Sequence, residues 1–223
     1  MTTFECRSAV VGDIHGDAEK LRPALDLLES SGRLVIFVGD YINRGRETRR
    51  VLELLSVFRR RWPDRHVFLR GNHEQALLQW LEGGSPHSFI RHGGLTTISS
   101  YFPQPTENVL RDFLDSFPVE HQEFLASTTP YFEAPGLLVS HAGYDPDDLQ
   151  SRDFEVMVLG RNSRLLTHPV PKPQELTVFG HYVQNDGRPF DRDGLLCLDT
   201  GCGTLADGRL TILLLPERRF VQF

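Results

Sequence analysis

Six side chains, Asp13, His15, Asp40, Asn72, His141 and His181, stand at or just past the ends of five short apolar runs. Two Asp, one Asn and three His make an oxygen and nitrogen donor set large enough for two divalent cations. In Asp13-Ile14-His15 the two donors fall on one side of an extended turn, because side chains alternate along extended chain. A carboxylate has two oxygens, so Asp40 can bridge two cations. Two cations about 3.5–4 Å apart lower the pKa of a bridging water and clamp phosphoryl oxygens for in-line displacement. Attack by that water is the chemistry the pattern suggests.

Phosphoryl charge also calls for arginine, which grips two oxygens at once. Arg44, four residues past Asp40, is the first candidate clamp, and Arg161 and Arg164 are candidates for a second. The leaving alkoxide or phenoxide needs a proton, and His73, beside Asn72, is placed to give it. Tyr182 after His181 is open to two readings, a substrate contact or ordinary packing. Glu74 reads as a charge at a helix N-terminus or a support behind the donors. Arg70 reads as a tie between loops. His92 and His121 read as surface or core residues.

The positioning elements follow from periodicity. The runs at 9–11, 34–38, 67–69, 137–139 and 177–179 are bounded by glycine or turn residues and read as buried strands. Open α/β sheets place their sites outside the carboxyl ends of strands, so the six donors should converge on one rim. Helices are expected over about 17–30, with Leu21, Ala24, Leu25 and Leu28 on one face, and over about 46–61, with Val51, Leu54, Leu55 and Phe58 inward. Gly32 and Trp62-Pro63-Asp64 end them. Another helix opens near 73–74. This alternation implies a parallel sheet. Residues 83–129 lack strand signals and read as a helical insertion that caps the metal face or packs beside the sheet, with 83–86 as a loop. Strands near 131–134, 137–140, 176–180, 195–198 and 209–215 suit a second sheet, antiparallel or mixed. One domain over 1–223, with two packed sheets and outer helices, is the expected organisation.

At 39% hydrophobic and 24% charged residues, the 223-residue chain has the make-up of a water-soluble globular fold. No apolar stretch approaches membrane-spanning length, and the N-terminus lacks the apolar segment of a signal peptide. A net charge of −6 argues against a nucleic-acid duplex as partner. Three cysteines, Cys6, Cys197 and Cys202, without a Cys-x-x-Cys pair, suggest reduced thiols and a cytoplasmic setting.

Gly-Asp-x-His-Gly at 12–16, Gly-Asp-x-x-x-Arg-Gly at 39–45, Gly-Asn-His-Glu at 71–74, His-Ala-Gly at 141–143 and Gly-His at 180–181 occur together and in order. This set resembles the phosphoprotein phosphatase branch of the calcineurin-like metallophosphoesterases. The small size and the Leu198-Asp199-Thr200-Gly201 segment look like bacterial and phage-type serine/threonine phosphatases. The resemblance implies an α/β/β/α sandwich of four layers with two divalent cations, manganese foremost, with iron or zinc as alternatives. It implies Asp13 and His15 on one cation, Asn72, His141 and His181 on the other, and Asp40 between them. One departure stands out. The family has Asp where Asn43 stands, and that Asp pairs with the histidine matching His73. Asn43 can accept a hydrogen bond through its amide oxygen but offers no charge to an imidazolium, which predicts a weaker general acid.

The expected activity is therefore hydrolysis of a phosphomonoester on a phosphorylated protein or peptide, serine/threonine or tyrosine, or of a small phosphoester. A dinucleoside polyphosphate hydrolase of the diadenosine tetraphosphate type and a phosphodiesterase are the competing enzymes. A catalytically weak phosphoprotein-binding module, suggested by Asn43 alone, is the reading from another class.

Overall fold

Side chains alternate in direction along a strand, yet the central strands of both sheets are apolar and buried on both faces, so each sheet must be covered twice. The computed structural model describes residues 7–102, 104, 107–161 and 164–223; Cys6 lies outside them. In chain order the elements are β1 (Ser8–Val11), α1 (Ala18–Ser31), β2 (Leu34–Phe37), α2 (Thr48–Arg61), β3 (His66–Phe68), α3 (Asn72–Leu81), α4 (His87–Arg91), α5 (Gly94–Tyr101), α6 (Val109–Ser116) and α7 (Val119–Ala126). There follow β4 (Tyr131–Ala134), β5 (Leu137–Ser140), α8 (Phe154–Leu159), α9 (Arg164–Thr167), β6 (Leu176–Phe179), β7 (Phe190–Arg192), β8 (Leu195–Cys197), β9 (Asp199–Thr200), β10 (Arg209–Leu215) and β11 (Arg219–Gln222).

One sheet runs β11-β10-β1-β2-β3, with β9 joined to β10, and the other runs β4-β5-β6-β8-β7. Strands β1, β2 and β3 are mutually parallel, as are β5, β6 and β8. The remaining pairings are antiparallel. Both sheets are thus mixed; the strand at 209–215, expected in the second sheet, instead joins the first beside β1, adding an antiparallel flank to the parallel strands. Val10, Ile36, Val38, Leu213 and Leu215 from the first sheet pack with Leu137, Val139, Val178, Leu196 and Leu198 from the second, forming the layer between sheets. The opposite faces are covered separately. Ala9, Val11, Val35 and Phe37 meet Leu21, Leu25 and Leu28 of α1 and Val51, Leu55 and Phe58 of α2. Leu138, Phe179 and Cys197 meet Met157 and Val158 of α8 and Leu165 of α9. The layers are therefore helix, sheet, sheet, helix.

Helix α1 begins where Asp17 accepts a hydrogen bond from the Lys20 amide at 3.0 Å, and it ends at Gly32 in the left-handed region. Helix α2 starts two residues later than expected because Arg44 to Glu47 form a turn against the first donor loop: Gly45 donates to the His15 carbonyl at 3.0 Å and Glu47 to the Gly16 carbonyl at 2.9 Å. Residues 83–129 supply α4 to α7 and no strand among the described residues. Phe124 of α7 packs edge-on against Tyr41 and Phe68, so this helical segment sits beside the first sheet. Arg70 ties it down, donating to the Thr128 hydroxyl at 3.0 Å and to the carbonyls of Ala126 and Thr128. Strands β7, β9 and β11 escaped the sequence reading, being short and lacking long apolar runs. No helix among the described residues is long and apolar enough to cross a membrane.

Candidate metal centre

Each of the six parallel strands delivers one acidic, amide or imidazole side chain past its carboxyl end. Asp13 follows β1, Asp40 follows β2 and Asn72 follows β3, while His141 follows β5, His181 follows β6 and Asp199 follows β8. The two rims meet. His181 Nδ1 lies 2.9 Å from Asn72 Oδ1, and His141 Nε2 lies 3.1 Å from that oxygen and 3.2 Å from His181 Nδ1. Asp40 faces this trio with one oxygen, its Oδ1 being 3.5 Å from His141 Nε2. Its other oxygen, Oδ2, is 3.5 Å from His15 Nε2 and 3.6 Å from His73 Nε2. Asp40 therefore divides its carboxylate between two donor clusters, Asp40-His141-His181 and His15-Asp40-His73, the donor atoms of each lying within 4.8 Å of one another.

The ring orientations suit cation binding. His15 Nδ1 is 3.1 Å from the Ile42 carbonyl, and His141 Nδ1 is 3.1 Å from the Val38 carbonyl. A backbone acceptor keeps the proton on Nδ1 and turns the Nε2 lone pair into the centre. His15 Nε2 and His73 Nε2 are buried without hydrogen-bond partners, a costly state that a cation or a substrate oxygen would relieve. Burial, helped by Arg44, holds the His15 imidazole down to about 3, and burial holds His181 down to about 4. These rings are neutral, as ligands must be. The carboxyls move the other way: burial and then repulsion from Asp199 raise Asp13, and burial and then Glu74 raise Asp40. Clustered buried carboxyls with no basic partner among them are what two divalent cations would ionise.

Asp13 sits slightly apart from the two clusters, its oxygens accepting the His181 backbone N–H at 3.1 and 3.3 Å. Glycine makes room for both carboxylates. A Cβ on Gly180 would lie 1.9 Å from Asp13 Oδ1, and one on Gly71 2.1 Å from Asp40 Oδ1. The backbone is also bent at the site: His15, Asp40, Asn43, Arg44 and His181 all have positive φ, between 45° and 70°. Such angles cost energy for residues with a Cβ and persist where surrounding contacts enforce them.

Glu74 provides much of that enforcement. Its buried carboxylate accepts the backbone N–H groups of Asp40 (2.8 Å), Tyr41 (2.9 Å), Ile42 (3.3 Å) and Gly71 (2.9 Å), lashing two donor loops together. This is the supporting role its sequence position suggested. Replacing it by Gln turns an N–H₂ toward donors. We expect Glu74→Gln to lower stability by about 2–3 kcal/mol, the cost of unsatisfied buried groups; a melting temperature within about 2 °C of the parent, roughly what 0.5 kcal/mol moves in a domain of this size, would refute the role.

Asn43 behaves differently from its sequence reading. Its Nδ2, not its oxygen, lies 2.9 Å from His73 Nδ1, and its Oδ1 accepts from the Thr97 hydroxyl at 2.7 Å. The reason is tertiary: α5 delivers Thr97, which also accepts the Asn43 backbone N–H at 2.9 Å. An amide N–H pointing at Nδ1 leaves the proton of neutral His73 on Nε2, the atom facing Asp40. Burial lowers the His73 pKa well below the usual histidine range, and nearby His15 and Arg44 lower it further.

Arg44 is exposed beside this face and donates to the Thr204 hydroxyl at 3.1 Å. The other two candidate clamps are engaged elsewhere. Arg161 pairs with Glu155 near the end of α8, and Arg164 pairs with Asp147 at 2.7 Å. Tyr182 meets the His181 ring edge-on at 4.8 Å, and burial pushes its phenol up to about 12. Cys197 and Cys202 are buried small residues whose thiols touch the Gly180 and Ile14 carbonyls. Two residues at the site carry no role in the sequence reading. Asp199, with one oxygen on the Gly201 amide and the other unpartnered, is raised by burial to about 6; its place at the end of the 195–198 strand was the available signal. Thr97 had none, because a lone threonine in a helical stretch says nothing about its reach.

The two layered sheets and the donors on their shared rim define a metallophosphoesterase fold. The chain belongs to the calcineurin-like phosphoesterase family, whose sequence profile matches residues 6–205. It is 26% identical over 242 residues to the bis(5'-nucleosyl)-tetraphosphatase PrpE of Halalkalibacterium halodurans, covering 96% of this chain and 92% of that one. It is 33% identical over 100 residues to a serine/threonine-protein phosphatase of Candida albicans, a match spanning 41% of this chain and 31% of the relative. Among solved structures, a candidate diadenosine tetraphosphatase superposes with a TM-score of 0.68 at 20% identity, covering 100% of this chain and 95% of that one. Members of this family are hydrolases of phosphoesters.

Proposed function

We propose that this protein is a metal-dependent phosphomonoesterase that removes phosphate from phosphorylated protein or peptide, with the chain acting as one domain. The observation that carries the reading is the division of Asp40 between two donor clusters, His73 belonging to one of them. Asp13, His15 and Asp40 would hold one divalent cation, and Asp40, Asn72, His141 and His181 the other. When bound, the two cations supply an activated water and neutralise phosphoryl charge. Arg44 grips the phosphoryl oxygens from the solvent side, steadied by Thr204. His73 Nε2 delivers a proton to the leaving oxygen while Asn43 and Thr97 hold its ring. Arg161 and Arg164, held in exposed ion pairs with Glu155 and Asp147, would need to break those weak pairs to reach a phosphoryl group.

The alternative of a dinucleoside polyphosphate hydrolase is favoured by one fact: the tetraphosphatase relative aligns over nearly the whole chain, whereas the Candida albicans phosphatase aligns over less than half of it. The deciding experiment uses metal-stripped protein with and without manganese. We expect manganese-dependent hydrolysis of p-nitrophenyl phosphate and release of phosphate from a phosphoserine peptide. Faster cleavage of diadenosine tetraphosphate than of the peptide would replace the leading reading with the second one, and preference for bis-p-nitrophenyl phosphate would point to a diesterase.

A further inference from the structure

We infer that His92, in the turn between α4 and α5, contacts the leaving group of the substrate through Nε2. The inference rests on the phosphoesterase reading above. The His92 ring lies 5.1 Å from the His73 ring, tilted by 58°. His73 is fully buried and His92 partly exposed, so His92 stands between the proton donor and solvent. The next residue, Gly93, abuts the Arg44 turn; a Cβ there would lie 3.4 Å from the Arg44 amide nitrogen. These neighbours set His92 above the mouth of the centre, on the side where a leaving group protonated by His73 must exit.

The ring is oriented for contact. Its Nδ1 lies 2.7 Å from the Ser88 carbonyl, which keeps the proton on that nitrogen. Nε2 is then an acceptor with no hydrogen-bond partner among the described residues. An acceptor in that place recognises a leaving group that carries a donor close to the ester oxygen. The backbone N–H of a phosphoserine peptide is such a donor, and p-nitrophenol has none.

The test compares His92→Phe and His92→Gln with the parent, all manganese-loaded, on a phosphoserine peptide and p-nitrophenyl phosphate. One neutral hydrogen bond corresponds to about a 5-fold loss. We expect His92→Phe to lower kcat/KM for the peptide about 5-fold more than for p-nitrophenyl phosphate, mostly through KM, and His92→Gln, which keeps an acceptor oxygen, to recover most of that difference. Equal losses on the two substrates, or none on either, would overturn the inference. A second readout does not need turnover. In the full chain labelled with ¹⁵N-histidine, the Nε2 resonance missing from His92→Phe should shift on titration with the phosphoserine peptide and stay put with inorganic phosphate. Absence of that shift also overturns the inference. A parent enzyme inactive on both substrates but showing the shift would count against the proposed function and leave the contact standing.

Discussion

Asp40→Asn should reduce manganese-dependent turnover on the order of 10³-fold or more, the scale of losing a group that organises transition-state charge. An amide has one acceptor oxygen and one N–H₂ group. Whichever way it turns, N–H donors face either His15 Nε2 or His141 Nε2, the atoms 3.5 Å from the native carboxylate. One donor cluster therefore loses its shared oxygen. Bound manganese should fall from two per chain to one or fewer, measured by elemental analysis after gel filtration. The fold should not suffer. Burial already disfavours the Asp40 carboxylate, so neutralising it in chelator should leave the melting temperature unchanged or raise it. A variant that keeps both its metal and its turnover would eliminate Asp40 as the shared ligand.

The second large effect concerns the proton. His73→Ala should lower turnover of a phosphoserine peptide about 10²-fold, within the usual range for a general acid, and that of p-nitrophenyl phosphate far less, because its leaving group needs little protonation. Asn43→Asp should work in the opposite direction, raising peptide turnover up to about 10-fold. The sign follows from charge. To act as an acid His73 must be imidazolium, which burial and neighbouring cations disfavour. The Asn43 N–H now aimed at Nδ1 disfavours it too, whereas a carboxylate there favours it. Activity that depends on the protonated form is lost as pH rises through the His73 pKa. Asn43→Asp raises that pKa, so the alkaline limb of kcat/KM for the peptide should move to higher pH. Equal effects on the two substrates, or a limb that does not move, would end this account of position 43.

The convergence of the donors on one rim was legible because its signal is local. Each donor directly follows an apolar run that ends in a turn, and six parallel strand ends leave little choice about where Asp13, Asp40, Asn72, His141 and His181 point. The positions of α1, β5 and β10 followed from periodicity for the same reason. What escaped depends on partners distant in sequence. Thr97 touches Asn43 across 54 residues and sets which end of its amide meets His73. Arg161 and Arg164 looked like clamps because arginine downstream of a donor loop is suggestive, and their acidic partners Glu155 and Asp147 emerge only from the folded chain. His92 read as a bystander because nothing in Arg91-His92-Gly93 announces that α5 seats this turn beside Arg44.

The left-handed backbone at Asn43, with φ of 70°, bears on how such an enzyme can change over generations. Asn, Asp and Gly tolerate that conformation far better than other residues. Most substitutions there are screened out by the main chain before any chemistry is tested. Asparagine and aspartate codons differ by a single base, so the strongest electrostatic change that this backbone admits beside His73 is one point mutation away, at the cost of burying a carboxylate where an amide now sits. Exchange of amide for carboxylate at position 43 would therefore set stability against the charge offered to His73.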